Sequence, residues 1–199
     1  ARQHQVPVIV DAAANLPPVE NLWHYTQLGA DLVIFSGGKG LGGPQCTGLI
    51  LGKADLIEAC RLNGSPNSAI GRVAKVGKEE IMGLLTAVER YLDRDHAADL
   101  ARREQWVSYL IEQLDVPGVV ASRIFPGPHG QTYPRVQVRF DDEGRCSAIV
   151  QRLKCGDPKI LVGTYPRDNR TLFINPLTLV EEEVKLIAAR MKDLLINNT

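Results

Sequence analysis

"VIVDAAANLPP", residues 8–18, and "ADLVIFSGGKGLGGP", residues 30–44, decide how this chain folds. Val6–Val10 and Asp31–Phe35 are short, apolar, β-branched runs, the pattern of strands buried on both faces. Between them, Val19–Leu28 sets Leu22, Tyr25 and Leu28 at helical spacing and stops at Gly29, a C′ glycine. Strand, helix and strand within about thirty residues make a βαβ unit of an α/β sheet. Asp11 and Lys39 then both fall just past the carboxyl ends of strands, the edge where open α/β sheets bind ligands.

Beyond Lys39, "TGLILGK" is a third apolar run, Lys53–Arg61 a short helix, and "NGSPNSAIG" a loop by its Asn-Gly and Ser-Pro signals. Lys78 to Leu114 reads as one long helix or two joined near Asp93. Ile81, Leu84, Leu85, Val88, Tyr91 and Leu92 form the apolar stripe of its first half. Past Pro117 the pattern changes. Val119–Ile124 and Arg135–Phe140 alternate as strands, "DDEG" is a turn, and Ser147–Leu153 is helical. Leu172–Ile174 is a strand, and Leu179–Ile196 is an amphipathic helix whose first turn carries Glu181, Glu182 and Glu183, suited to the helix dipole. The expected organisation is a large-domain portion over 1–92, a connecting helix over 93–116 and a small α+β domain over 117–199.

A chain of 199 residues holds one sizeable domain, or one and a half. Its 23 basic and 23 acidic residues balance, so charge argues against a nucleic-acid partner. No apolar run reaches the roughly 18 residues of a membrane span. Cys46, Cys60, Cys146 and Cys155 lack CxxC spacing and read as free thiols of a cytoplasmic protein. His4, His24, His96 and His129 show no ligand spacing, so no metal is expected.

Singly, an Asp after a strand is most often a turn former or helix cap, and a Lys among glycines is most often solvated. The glycine-rich loop is not a phosphate loop of the GxxxxGK[ST] type. Val33 stands at its first glycine position, and Gly40 follows the lysine where Ser or Thr is required. Together, the carboxylate and the amine suit a different ligand. Pyridoxal phosphate needs a lysine for a Schiff base with its aldehyde and a carboxylate for its pyridine nitrogen. Glycines around the lysine let backbone approach a flat ring.

"VIVDAA…ADLVIFSGGKGLGGPQCTGLILGK" resembles the fold-type I pyridoxal-phosphate enzymes. "VDAAANLPP", "GADLVIFSGGKGLGGPQ" and "IGRVAKVGKEEIMGLLTAVERYL" narrow the likeness to the branch of selenocysteine synthase (seryl-tRNA selenium transferase) and the glucosaminate-6-phosphate ammonia-lyases. "LTLVEEEV" agrees with it. The resemblance implies pyridoxal 5'-phosphate as cofactor, with Lys39 as its Schiff-base lysine and the carrier of the substrate α-proton. It implies that Asp11 holds the pyridine nitrogen, that Ala13 packs on a ring face, and that Ser36 offers its hydroxyl to the phosphate. "GGPQ" (42–45) would turn the chain into an antiparallel strand. A small-domain arginine often grips the substrate carboxylate in this fold, which makes Arg167 and Arg170, in "YPRDNRTLFINP", candidates. Arg72, in "IGRVAKVGKEE", could face the site or a partner subunit.

The same resemblance places the phosphate cup, and the group stacking on the other ring face, upstream of Asp11. The chain therefore reads as the second half of a fold-type I large domain, a mostly parallel sheet with helices on both faces, plus a small C-terminal α+β domain. The expected activity is a lyase converting a β-hydroxy α-amino acid or amino-sugar acid, such as D-glucosaminate 6-phosphate, to a 2-keto acid. The alternatives are a selenium-transferase-like β-replacement enzyme on seryl-tRNA and a non-catalytic fragment or paralogue. Both Asp11 and Lys39 argue against the last, since a scaffold needs neither. By analogy with the fold, the enzyme is expected to be a homodimer or an assembly of dimers.

Overall fold

The computed structural model describes residues 1–127, 130–165 and 168–196. The chain divides into two compact units, Ala1–His96 and Ala97–Thr199.

In the first unit, β1 (Ile9–Asp11), β2 (Leu32–Ser36) and β3 (Gly48–Gly52) form one sheet in the order β1-β2-β3. β1 and β2 are parallel, with Ile9 opposite Leu32 and Asp11 opposite Ile34. β3 runs antiparallel to β2, with Gly48 opposite Ser36 and Gly52 opposite Leu32. The reversal after the lysine loop is the one "GGPQ" implied. α1 (Asn21–Gln27) crosses between β1 and β2, and Gly29, at φ +104°, ends that turn where a side chain would be strained. α2 (Ala54–Asn63) and α3 (Lys78–Leu92) follow. The core is Ala12, Leu16, Leu22, Val33, Phe35, Leu41 and Tyr91, with Leu84 and Val88 of α3 packed against it. Val33 and Phe35 are fully buried, each contributing about 1.5–3 kcal/mol.

Two expectations change here. β1 is three residues, not five, and it is not buried on both faces: Ile9 is 60% exposed. The strand lies at the sheet margin, so its outer side meets no neighbour among the described residues. The segment from Lys78 to Leu114 is two helices, one of the two forms anticipated. α3 stops at Asp93, and α4 (His96–Gln113) starts after a turn in which the His96 ring bonds the Tyr91 carbonyl at 2.8 Å.

The second unit has a four-stranded antiparallel sheet in the order β4-β5-β7-β6: β4 (Val119–Ile124), β5 (Arg135–Phe140), β6 (Gly163–Tyr165) and β7 (Asp168–Ile174). Val136, Val138 and Phe140 of β5 join Leu172 and Ile174 of β7 in a core with α4, α5 (Glu143–Cys155) and α6 (Glu181–Ile196). Alternation in β5 dictates this: every second residue faces the helices. α5 starts earlier than Ser147 because Asp142 caps it, accepting the Arg145 N–H at 2.7 Å. Glu183 caps α6 by reaching back to the Val180 N–H at 3.0 Å. Arg145 then donates to the carbonyls of Pro117 and Leu195, tying α5 to the last turn of α6. β6 escapes the sequence pattern, since three residues led by a glycine carry no alternation; Tyr165 meets Phe173 edge-on at 4.4 Å.

Among the described residues, no helix is long and apolar enough to cross a membrane, and no cluster of His, Cys, Asp or Glu could hold a metal ion.

Candidate active site

The site is built on the carboxyl ends of β1 and β2. Asp11 is the last residue of β1, and Ser36 the last of β2. The ladder continues one step beyond Asp11, where the Ala12 N–H bonds the Ile34 carbonyl at 2.9 Å. The chain then turns within the Asp11–Pro18 loop. The Ala13 N–H bonds one Asp11 carboxylate oxygen at 3.0 Å. This is the turn-forming role an Asp has in any such position. It fixes the carboxylate by one oxygen and leaves Asp11 exposed at the sheet edge. Asn15 braces the loop, donating to the Tyr25 hydroxyl at 2.8 Å while its carbonyl accepts from Asn21 at 2.6 Å.

Lys39 stands on the loop from Gly37 to Thr47, which is closed at its base. The Gly37 N–H bonds the Thr47 carbonyl at 2.9 Å, and the Gly43 N–H bonds the Gly37 carbonyl at 2.8 Å. Lys39 itself is exposed, and its carbonyl accepts the Gly42 N–H at 3.0 Å. The two loops touch. A methyl group placed on Gly40 would lie 2.6 Å from the Leu16 carbonyl oxygen and 2.7 Å from the Leu16 Cβ. Only glycine allows that approach. Leu16 and Leu41, on either side of the contact, are both buried in the unit's core. The Asp11 loop and the Lys39 loop are thus one packed structure rather than two independent turns.

Of the residues singled out from sequence, Asp11, Ala13, Ser36 and Lys39 are gathered at this edge. Ala13 is half-buried directly after the carboxylate. Arg72 is exposed in a single helical turn, Arg72–Ala74, of the same unit. Arg170 lies on β7 in the second unit, exposed and paired with Glu143 at 3.5 Å. Arg167 and His129 fall outside the described residues. Sequence reasoning did not single out Leu16 or Gln45, both of which shape the lysine loop. The signal for the first was Gly40, a glycine that no turn type required.

A cavity of about 750 Å³ opens at the opposite edge, lined by Gln5, Thr26, Asp31, Gly52 and Lys53 among others. It is the poorer site. Its carboxylate, Asp31, is already committed to the Val8 N–H at 2.7 Å and to the Lys53 ammonium at 2.5 Å. Ligands of open α/β sheets bind at the other end.

An amine on one loop, a half-satisfied carboxylate on the other and a hydroxyl at the end of β2 can bind a flat, anionic, basic-nitrogen ring. The amine can bond an aldehyde, the carboxylate can hold a proton on a ring nitrogen, and the hydroxyl can donate to a phosphate. The donor set fits pyridoxal 5'-phosphate.

Comparisons with known proteins place the chain by fold and family. The 5'-C-glycyluridine monooxygenase-decarboxylase of Streptomyces sp is 35% identical over 99% of this chain and 48% of its own length. The D-glucosaminate-6-phosphate ammonia lyase of Salmonella typhimurium is 28% identical over 98% of the chain and 50% of its own. The solved structure of D-glucosaminate-6-phosphate ammonia-lyase superposes with a TM-score of 0.72 at 29% identity, covering 99% of this chain and 51% of that one. A structure described as SPT with PLP internal aldimine shares the fold, with a TM-score of 0.62 at 16% identity over 99% of this chain and 49% of that one. The fold is that of the fold-type I pyridoxal-phosphate enzymes. The chain spans about half the length of the curated relatives it matches. Residues 11–114, from the carboxylate through the lysine loop, α2, α3 and α4, match the SelA family, L-seryl-tRNA selenium transferase, and the chain belongs to that family.

Proposed function

We propose that this chain carries the lysine and the carboxylate of a pyridoxal 5'-phosphate-dependent lyase acting on a β-hydroxy α-amino acid or amino-sugar acid. The observation behind this reading is the packing of Gly40 on Leu16, which unites the Asp11 and Lys39 loops at one sheet edge. When bound, the cofactor supplies an electron-withdrawing ring conjugated to the substrate α-carbon. Asp11 holds a proton at the ring nitrogen with the carboxylate oxygen that Ala13 leaves free, which keeps that ring electron-poor. Lys39 would hold the cofactor through its amine, and its Nζ, when free, would take the substrate α-proton. Ser36 donates its hydroxyl to the phosphate. Ala13 offers a small, flat contact to the ring. The substrate loses its α-proton and β-hydroxyl as water; hydrolysis of the enamine returns that water and releases ammonia and a 2-keto acid.

The ammonia-lyase likeness, in sequence and in structure, favours elimination. Membership of the L-seryl-tRNA selenium transferase family favours a second reading, in which selenium replaces the β-substituent of a tRNA-borne seryl group. Both readings share Asp11, Lys39 and the cofactor, and both place the chain in a homo-oligomer. Arg72, Arg167 and Arg170 are the proposed grips for a substrate carboxylate.

Product analysis on the full natural polypeptide separates them. Ammonia and a 2-keto acid from a phosphorylated amino-sugar acid, lost in Lys39→Ala, are the expected result. Turnover only with seryl-tRNA and a selenium donor would replace the lyase by the transferase.

A further inference from the structure

Lys39 is exposed at the tip of a loop, yet a lysine that bonds an aldehyde must leave the backbone in one direction. The direction of its Cα–Cβ bond is set by the two peptide planes that flank it. The plane after Lys39 is held by backbone, through the Gly42 N–H on the Lys39 carbonyl at 3.0 Å. The plane before it is held by a side chain. The Gln45 amide Nε2 donates to the Gly38 carbonyl at 3.1 Å. Gln45 also lies flat against Gly38: a methyl group there would sit 2.6 Å from both the Gln45 Cα and Oε1. Gly38 and Gln45 are on opposite limbs of the loop, so the bond closes it across its width, above the backbone pairs of Gly37 with Thr47 and Gly43.

We infer that Gln45 is a positioning residue for Lys39, fixing the Gly38–Lys39 peptide plane and with it the heading of the lysine. This rests on the reading of Lys39 as the cofactor lysine. Gln45 touches neither the amine nor the ring site; it acts through one carbonyl. Its contribution is geometric and independent of charge.

The test uses the full natural polypeptide stripped of cofactor and mixed with pyridoxal 5'-phosphate. Gln45→Met keeps the side chain's length and removes the donor. Gln45→Glu places a carboxylate against the Gly38 carbonyl. Covalent capture is followed by absorbance across pH, and borohydride reduction with peptide mapping gives the fraction of adduct on Lys39 against Lys53 and Lys75. The expected result for Gln45→Met is capture slowed by about three- to tenfold at every pH, the loss of one hydrogen bond. The midpoint of the pH profile stays in place and adduct shifts from Lys39 to other lysines, with the thermal midpoint unchanged. Gln45→Glu is slower still. Capture rate and adduct distribution in Gln45→Met indistinguishable from the parent would overturn the assignment while leaving Lys39 as the cofactor lysine. A loss matched by a fall in thermal midpoint would overturn it too, marking Gln45 as structural only. No Lys39 adduct in the parent protein would overturn both this inference and the reading on which it rests.

Discussion

Asp11 shows how one residue can satisfy two descriptions at once. Its hydrogen bond to the Ala13 N–H is the ordinary work of an Asp in a turn, and it occupies only one carboxylate oxygen. A cap would need nothing more, so mutation distinguishes the roles. Asp11→Ala should leave the protein folded and able to capture pyridoxal 5'-phosphate on Lys39. Substrate α-proton exchange, read by deuterium uptake, should fall by about 10²-fold or more, the usual cost of removing a group that stabilises developing charge. Exchange near the parent rate would reduce Asp11 to its turn.

At the scale of elements, the loop-to-loop contact is the vulnerable part. Gly40→Ala puts a methyl group into the Leu16 carbonyl, and backbone on both loops must move. Overpacking of this kind costs about 1–3 kcal/mol. A lowered thermal midpoint together with slower labelling of Lys39 is expected; a variant unchanged in both would show that the loops are not coupled. In the second unit, Arg123 of β4 forks onto Glu104 of α4, at 2.8 Å from Nε and 2.5 Å from Nη2. The guanidinium hydrogen bonds hold the Glu104 carboxyl below its usual value. A depressed carboxyl stabilises the fold above its unfolded pKa, about 4.5, and that stability fades as pH falls through the lower folded value. Both side chains are over a third exposed, so solvent screening limits the pair to about 1 kcal/mol at most. Arg123→Ala should therefore lower the thermal midpoint slightly at neutral pH, by a deficit that shrinks as pH falls below the unfolded carboxyl's value and the folded carboxyl takes up its proton. A deficit that persisted undiminished in acid would assign the effect to the guanidinium lying over the Phe125 ring, its Cζ 4.8 Å from the ring centroid.

The whole molecule carries apolar surface that its own residues do not cover. Val73 is 94% exposed and Ile70 88%, on either side of Arg72. Ile81, Met82 and Leu85 of α3 are each about half exposed or more, and Ile9 faces outward from β1. Among the described residues, β1 and β3 each have one unpaired edge. Such edges and patches associate. Expressed alone, these 199 residues should self-associate or precipitate, and size-exclusion chromatography with light scattering should show no clean monomer. A soluble, cooperatively unfolding monomer that binds pyridoxal 5'-phosphate tightly would contradict this expectation.

What the sequence by itself determined was local. Period-two alternation set β4 and β5, the apolar run Asp31–Phe35 set β2, and a carboxylate and an amine each followed a strand. Those signals lie within a few residues of what they specify, so β2 and the lysine loop were legible along with the family motif. Distance in sequence hid the rest. That β1 is a marginal strand with Ile9 exposed depends on which neighbours it lacks, and no run of β-branched residues encodes that. The break between α3 and α4 was open until the His96 ring met the Tyr91 carbonyl. Gly40 reads in sequence as one of the glycines that let backbone approach a flat ring; only folding brings Leu16, 24 positions earlier in the sequence, against it. Gln45 read as part of a turn until its amide was seen on the Gly38 carbonyl across the loop. Pattern and propensity choose elements because they act along the chain, whereas the site is made of contacts across it, and those exist only once the elements have packed.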